Sequence, residues 1–215
     1  MMSDNENIGR YIVIEGTDGT GKSTQVERLA QRLIDEGREV VQFHEPGGVE
    51  ISSEIRSIIK NGDLARSAFT NLLLFSAARR ENWLQQGLPV LERGGFVVSA
   101  RDYTSTLAYQ GYGEGLDLTA ISEVTRMATD ERYMNPDATI ILDIEDEVER
   151  AKRIAGRGAL ESPDTFESKD AEFQLRVREA YRDIAKRRGL AVISAAQSTD
   201  VVEAEIWREV ARVRS

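Results

Sequence analysis

The segment Gly16-Thr17-Asp18-Gly19-Thr20-Gly21-Lys22-Ser23, followed by Thr24, matches G-x-x-x-x-G-K-[ST] at every fixed position. It follows the apolar run Tyr11 to Glu15, which reads as a strand, and opens a helical pattern running from Lys22 to about Glu36. That context gives the spacing a chemical meaning. Glycines let the backbone wrap tightly with its N–H groups turned inward, and the positive end of the following helix favours the same anions. Gly16 through Thr24 are therefore expected to cradle nucleotide phosphates, with Lys22 spanning the β and γ phosphates and the Ser23 hydroxyl completing a magnesium shell. The alternative is an ordinary glycine-rich turn with a solvated lysine.

Further arginines suit anions. Arg79 comes late in the helical run LLLFSAARR, whose leucines at 72–74 should face the core. Arg101 follows the apolar VVS, at the carboxyl end of a strand, where α/β sheets bind their ligands. A guanidinium fork fits a dianionic phosphate, although a surface salt bridge is the plainer use of either residue. Phe75 lies four residues before Arg79 and hence on the same helical face, so a base stacked on the ring would have a cation beside it. Core packing of Phe75 is the competing reading. Arg150, Lys152 and Arg153 precede the loop at 156–165, which contains Arg157. A mobile basic lid there would exclude water and neutralise charge on a transferring phosphoryl group, while a plain charged helix end would look similar.

These groups need a scaffold that brings distant segments to one edge. Strands are expected at 11–15, 39–43, 94–99, 138–144 and 190–194. Between them come helices at 22–36, at 49–60 with Ile51, Ile55, Ile58 and Ile59 on the apolar side, and in two pieces over 68–91, with Pro89 either beginning a turn or kinking the second. Others are expected at 117–131, 146–155, 166–188 and 199–213. No hairpin dipeptide joins two apolar runs, so the pattern predicts an α/β fold with a five-stranded parallel sheet flanked by helices. Without an internal repeat or a low-complexity linker, the 215 residues read as a flexible tail at 1–9 and one domain over 10–213, including a small lid at about 153–167.

Composition removes several function classes. The 37 acidic and 28 basic side chains leave a net charge of −9, which argues against a broad nucleic-acid-binding surface but allows a locally basic cleft. With no cysteine and one histidine, thiol nucleophiles, thiolate or multi-imidazole metal sites and a serine-histidine-acid triad are excluded within this chain. No stretch approaches a membrane span and the opening MMSDNENIGR lacks the features of a secretory leader, so a cytoplasmic protein without membrane contact is expected. No N-K-x-D segment reads a guanine base, and the size suits a small P-loop kinase.

In this order and spacing, IEGTDGTGKST (14–24), EPGG (45–48), LLLFSAARR (72–80), SARDYTSTLAYQG (99–111), NPDATIILDI (135–144) and FQLRVREAY (173–181) resemble the bacterial thymidylate kinases. The resemblance runs from about residue 10 to 211 and implies the P-loop nucleoside monophosphate kinase fold, usually as a homodimer. It implies magnesium-ATP as the phosphoryl donor and dTMP as the acceptor, giving dTDP and ADP for dTTP synthesis. By the same resemblance, Phe75 stacks on thymine, Arg79 and Gln110 hold the acceptor, and Asp18 lies near its sugar and the reacting phosphates. Tyr109 disfavours a ribose hydroxyl, Arg101 stands in register with Ser105, and Arg153 and Arg157 belong to the lid.

Three positions depart from the family pattern. His44 stands where an arginine commonly precedes E-P-G-G to grip the acceptor phosphate, Ala100 where a carboxylate commonly precedes the strand-end arginine, and Thr165 where the lid commonly has arginine. Two accounts of the missing carboxylate compete: Asp102 replaces it through a local turn, or Ser23, phosphates and water hold the magnesium without it. The departures leave as alternatives another deoxynucleotide or nucleoside kinase, or a weakly active or non-catalytic ATP-binding homologue.

Overall fold

Apolar runs become strands and amphipathic segments become helices in the computed structural model, which describes residues 9–156, 165–166 and 169–213. The strands are β1 (Arg10–Gly16), β2 (Val40–His44), β3 (Phe96–Ala100), β4 (Ala138–Asp143) and β5 (Ala191–Ser194). Helices α1 (Lys22–Asp35), α2 (Glu50–Lys60), α3 (Ala68–Asn82), α4 (Leu88–Glu92) and α5 (Tyr103–Thr106) fill the first half. The second half contains α6 (Leu118–Ala128), α7 (Glu131–Met134), α8 (Glu147–Ala155), α9 (Ala171–Arg188) and α10 (Thr199–Ala211). The sheet order is β2-β3-β1-β4-β5, with every pairing parallel. Register matters for the site: Ala100 pairs with both Ile14 and His44, so β2 and β3 finish level while β1 runs two residues further to Gly16 beside β4.

The two faces of β1 explain the layering. Ile12 and Ile14 join Val98 and Leu142 in packing against Val26, Leu29 and Leu33 of α1 and Val202 and Ile206 of α10. Tyr11 and Val13 belong to another cluster with Phe43, Val97, Trp83 and Tyr133. Burial on both faces is why β1, β3 and β4 read as continuous apolar runs. Each such side chain contributes about 1.5–3 kcal/mol, and Leu33→Ala would cost about 2–5 kcal/mol.

Three local readings change. Residues 68–92 do not break at Pro89; a π-helical turn, Trp83–Gly87, carries α3 into α4. The Leu88 N–H bonds to the Trp83 carbonyl in this wider turn, and Pro89 enters the first turn of α4, where a missing N–H costs least. Gly87 suits the turn because a Cβ there would lie 2.8 Å from the Trp83 ring. On α2, Ile59 is buried, but Ile51 and Ile58 are exposed. The contact with α3 includes the small Ser52, whose hydroxyl donates to the Ala78 carbonyl at 2.8 Å, which turns the expected isoleucine stripe partly outward. Gly9, assigned by sequence to the tail, is buried, and its carbonyl accepts from Arg132 at 2.9 Å.

Candidate active site

The loop after β1 has the backbone its glycines suggest. Gly16 has φ 138°, and a Cβ there would come within 2.2 Å of the Leu142 carbonyl oxygen. Gly19 and Gly21 also have positive φ, 91° and 87°, and Gly21 caps α1. Thr20 Oγ1 donates to the Thr17 carbonyl at 2.9 Å, and Lys22 Nζ reaches the same oxygen at 2.7 Å. Lys22 Nζ also lies 4.0 Å from Asp18 Oδ1. Ser23 and Thr24 are exposed at the start of α1, and Ser23 lines a cavity with Asp18 and Lys22.

Beneath this loop is a polar hub that spacing alone did not reveal. Glu15 is fully buried, yet its carboxylate accepts from the Gly16, Asp102 and Ser105 N–H groups and from the Ser105 and Tyr181 hydroxyls, at 2.8–3.2 Å. A buried carboxylate costs little only when satisfied in this way. Arg101 spans the hub and the cavity. Its Nη2 donates to Asp18 Oδ1 at 2.6 Å, and its Nη1 contacts Ser105 Oγ at 2.9 Å and Tyr181 Oη at 3.2 Å. Its backbone has φ 76°, a conformation costing a non-glycine residue about 1–3 kcal/mol. Burial is the largest single influence and would lower its pKa, but Asp18, Tyr109, Tyr181 and Glu15 together outweigh it and the guanidinium stays charged.

Across the cavity, Arg79 is almost wholly buried. Its Nε meets Glu45 Oε2 at 3.0 Å and its Nη2 meets Thr106 Oγ1 at 3.1 Å, while Nη1 has no hydrogen-bond partner among the described residues. Glu45 also accepts from Tyr133 Oη at 2.7 Å. Burial pushes the Glu45 carboxyl up, and Arg79 pulls it back toward the ionised form. Asn82 clamps the EPGG turn, donating to the Gly47 carbonyl at 2.9 Å and accepting from the Val49 N–H at 3.0 Å. A Cβ on Gly48 would lie 2.1 Å from Asn82 Oδ1. Asn82, Glu15 and Tyr181 are the supporting residues that sequence reasoning missed; a charged residue ending the buried run of β1 was the available signal for Glu15.

Tyr109 and Gln110 occupy a second π-helical turn, Leu107–Gly113, and both line the cavity. Such turns commonly mark functional positions. Tyr109 Oη donates to Asp18 Oδ2 at 3.2 Å, and Gln110 Nε2 donates to Glu114 at 3.2 Å. Phe75 opens into the same cavity beside Phe166, with ring centroids 6.0 Å apart. Phe166 also meets the Tyr109 ring edge-on at 5.8 Å.

The departures have definite places. His44 ends β2 on the cavity wall, where burial, against Glu27 and with Arg56, holds its imidazole below the ordinary value. Ala100 lines the cavity and leaves Asp18 and Glu45 as its carboxylates among the described residues. Asp102 is fully buried and turned to cap α5, with Oδ1 accepting from the Thr104 N–H at 2.6 Å. Burial and then Glu15 push its carboxyl up to about 7. Thr165 Oγ1 donates to the Ile59 carbonyl at 2.9 Å and contacts Arg66 Nη2 at 3.1 Å. Arg153 is bonded to Glu149 at 2.9 Å and to the Ala195 carbonyl at 2.8 Å. Arg157 lies outside the described residues. Arg150, a neighbour of the expected lid, packs against Gly19, where a Cβ would be 3.1 Å from its Cγ.

The cavity therefore joins the phosphate loop to an aromatic and arginine-bearing wall. A profile described as thymidylate kinase matches residues 14–206. The chain is 36% identical over 204 residues to a thymidylate kinase of Halothermothrix orenii, covering 94% of this chain and 96% of that one. It is 35% identical over 204 residues to one of Deinococcus radiodurans, with coverages of 94% and 96%. A crystal structure of thymidylate kinase from Ehrlichia chaffeensis superposes with a TM-score of 0.76 at 29% identity, covering 95% of this chain and 99% of that one. With the site geometry and these likenesses in agreement, the chain belongs to the thymidylate kinase family.

Proposed function

We propose that this chain transfers the γ-phosphate of ATP to dTMP, forming dTDP and ADP for dTTP synthesis. The carrying observation is one cavity into which Lys22 and Ser23 open together with Phe75, Arg79, Arg101 and Gln110. Donor and acceptor groups must meet there for in-line transfer, and a nucleotide switch without transfer has no use for the second wall. The acceptor phosphate oxygen attacks the γ-phosphorus directly, with no covalent protein intermediate. Ionised phosphate needs no general base, so catalysis comes from alignment and charge neutralisation.

Each element has a place in that reading. Lys22 would lie along the β and γ phosphates, while Arg101, braced by Asp18, would bear on the oxygens between donor and acceptor. Phe75 supports a stacked thymine, with Arg79 and Gln110 at its polar edge, and Tyr109 limits space at the sugar. Arg153, with Arg157 in the lid, would approach ATP on closure, which requires Arg153 to exchange its present partners.

The residues present fit a magnesium ion: the exposed Ser23 hydroxyl and the Asp18 carboxylate share the cavity, and both are oxygen donors of the kind this cation takes. When bound, it would neutralise charge on the β and γ phosphates. Exposed Ile51, Ile58, Phe69 and Leu73 on the adjoining helices α2 and α3 support a homodimer, which light scattering of the purified protein would detect. Among the described residues, no helix is long and apolar enough to cross a membrane. A co-crystal with dTMP and a magnesium-ATP analogue tests the assignment: thymine should lie on Phe75, and a base bound elsewhere would refute it.

A further inference from the structure

Helix α2 stops at Lys60, and Asn61 after it has extended backbone that does not fold back over the last turn. Carbonyls at such a helix end need donors from elsewhere. Arg66, half-buried in the connection to α3, supplies them. Its Nη2 donates to the Ile59 carbonyl, and its Nη1 donates to the Asn61 and Leu64 carbonyls at 3.0 and 2.8 Å. Its Nε donates to Asn71 Oδ1 in the first turn of α3 at 2.6 Å, and Nη2 also reaches Thr165 Oγ1 at 3.1 Å. A guanidinium carries five N–H donors, so the whole fork is engaged. None of the five acceptors is a carboxylate, and the contacts therefore fix geometry instead of neutralising charge.

Two of these bonds end one step from the cavity. Ile59 is buried with its side chain on the cavity lining, and its carbonyl accepts from both Arg66 and Thr165 Oγ1. Thr165 is followed by Phe166, whose ring lines the same cavity beside Phe75 and Tyr109. Ile59, Tyr109 and Phe166 share one buried cluster, and Phe75 packs against it. Apolar packing is non-directional, so the placing of the Phe166 ring depends on what holds its backbone. Gln174 of α9 holds its carbonyl on one side, and the closed set Arg66, Thr165 and Ile59 holds the preceding residue on the other. Loss of the guanidinium would unlink α2, α3 and Thr165 together.

We propose that Arg66 is a positioning residue for acceptor recognition: from outside the cavity it sets the places of Ile59 and Phe166, and with them the width of the aromatic slot beside Phe75. The proposal rests on the reading of this cavity as the acceptor site for dTMP. Arg66 touches no substrate in that reading and acts through the backbone of Ile59 and the hydroxyl of Thr165.

Steady-state kinetics of the purified full chain, with dTMP and ATP varied separately, test it. Arg66→Ala should raise KM for dTMP about tenfold while kcat and KM for ATP stay within about twofold, the split expected when only acceptor binding suffers. Arg66→Lys keeps the charge but has one ammonium, which cannot serve both helices and Thr165 at once. Its KM for dTMP should fall between the parent and the alanine variant, and it carries the comparison if the alanine variant does not fold. Arg66→Ala combined with Thr165→Val should raise KM for dTMP by less than the product of the separate effects, because both act through Phe166. Equal changes in the dTMP and ATP values, or a lowered unfolding temperature with unchanged KM for dTMP, would show that Arg66 only closes α2 and would overturn the proposal. A parent protein that does not phosphorylate dTMP would instead remove the acceptor reading, and the proposal with it.

Discussion

Arg101 Nη2 and Asp18 Oδ1 meet at 2.6 Å, tying the end of β3 to the middle of the phosphate loop. Asp18 also accepts from Tyr109, so one carboxylate orients a guanidinium and a phenol at the same cavity. This makes Arg101 and Asp18 a unit. Arg101→Ala and Asp18→Asn should each lower kcat by about a hundredfold, the scale of a lost preorganised charge contact. The double variant should lose much less than the product of the two effects, as steady-state kinetics in a double-mutant cycle would reveal. Independent, multiplicative losses would mean that the pair does not act together.

Lys22 sits over the loop, with Nζ on the Thr17 carbonyl, where it can turn to phosphate without disturbing the sheet. Lys22→Ala should reduce turnover by at least about a hundredfold and leave the circular dichroism spectrum unchanged. Turnover near the parent value would remove the lysine from the phosphate site.

Asp102 is expected to couple stability to pH. Its carboxyl has an ordinary value of 3.8 and is raised to about 7 by burial and Glu15, with Thr104 and Arg188 opposing. Between those values the folded protein keeps a proton that the unfolded chain has lost. The contribution is fully present below the unfolded value and is lost as pH rises through 7. Asp102→Asn, which can keep the Thr104 cap, should flatten this decline and be more stable than the parent at pH 8, by on the order of 1–3 kcal/mol. Urea unfolding across pH 4.5–8 measures it, and parallel curves for the two proteins would contradict the assignment.

Thr165, the residue before Phe166, is held against α2 by its bond to the Ile59 carbonyl, while Gln174 bonds the Phe166 carbonyl at 2.7 Å. Thr165→Val should therefore raise KM for dTMP by about threefold to tenfold through a loosened Phe166, with Thr165→Ser near the parent. A change confined to KM for ATP would place the effect on the donor side.

The phosphate loop was legible because it is local: glycines with special backbone angles and a lysine at a helix start lie within nine residues. The central strands β1, β3 and β4 were legible for a similar reason, since burial on both faces leaves apolar runs. Glu15, Asn82 and Tyr181 were not, because their roles come from hydrogen bonds between segments far apart in the chain. The π-helical turns at 83–87 and 107–113 leave no period of their own in the apolar pattern. Ile51 and Ile58 misled because a helical stripe shows which residues share a face, and the contact through Ser52 decided which part of that face met α3. Phe75 and Arg79 were named from their spacing on one helical face and given roles by resemblance, and their placement on one cavity wall could be seen only after α3 had packed against its neighbouring helices.

The most direct measurement follows label from the γ-position of ATP into products separated by chromatography, with magnesium present and dTMP, dUMP, dCMP, dGMP and dAMP offered in turn. The account predicts labelled dTDP from dTMP at a kcat/KM at least about tenfold above the other acceptors, a preference worth about 1.4 kcal/mol. Label released only as inorganic phosphate, or carried to another nucleotide in preference to dTMP, would contradict it.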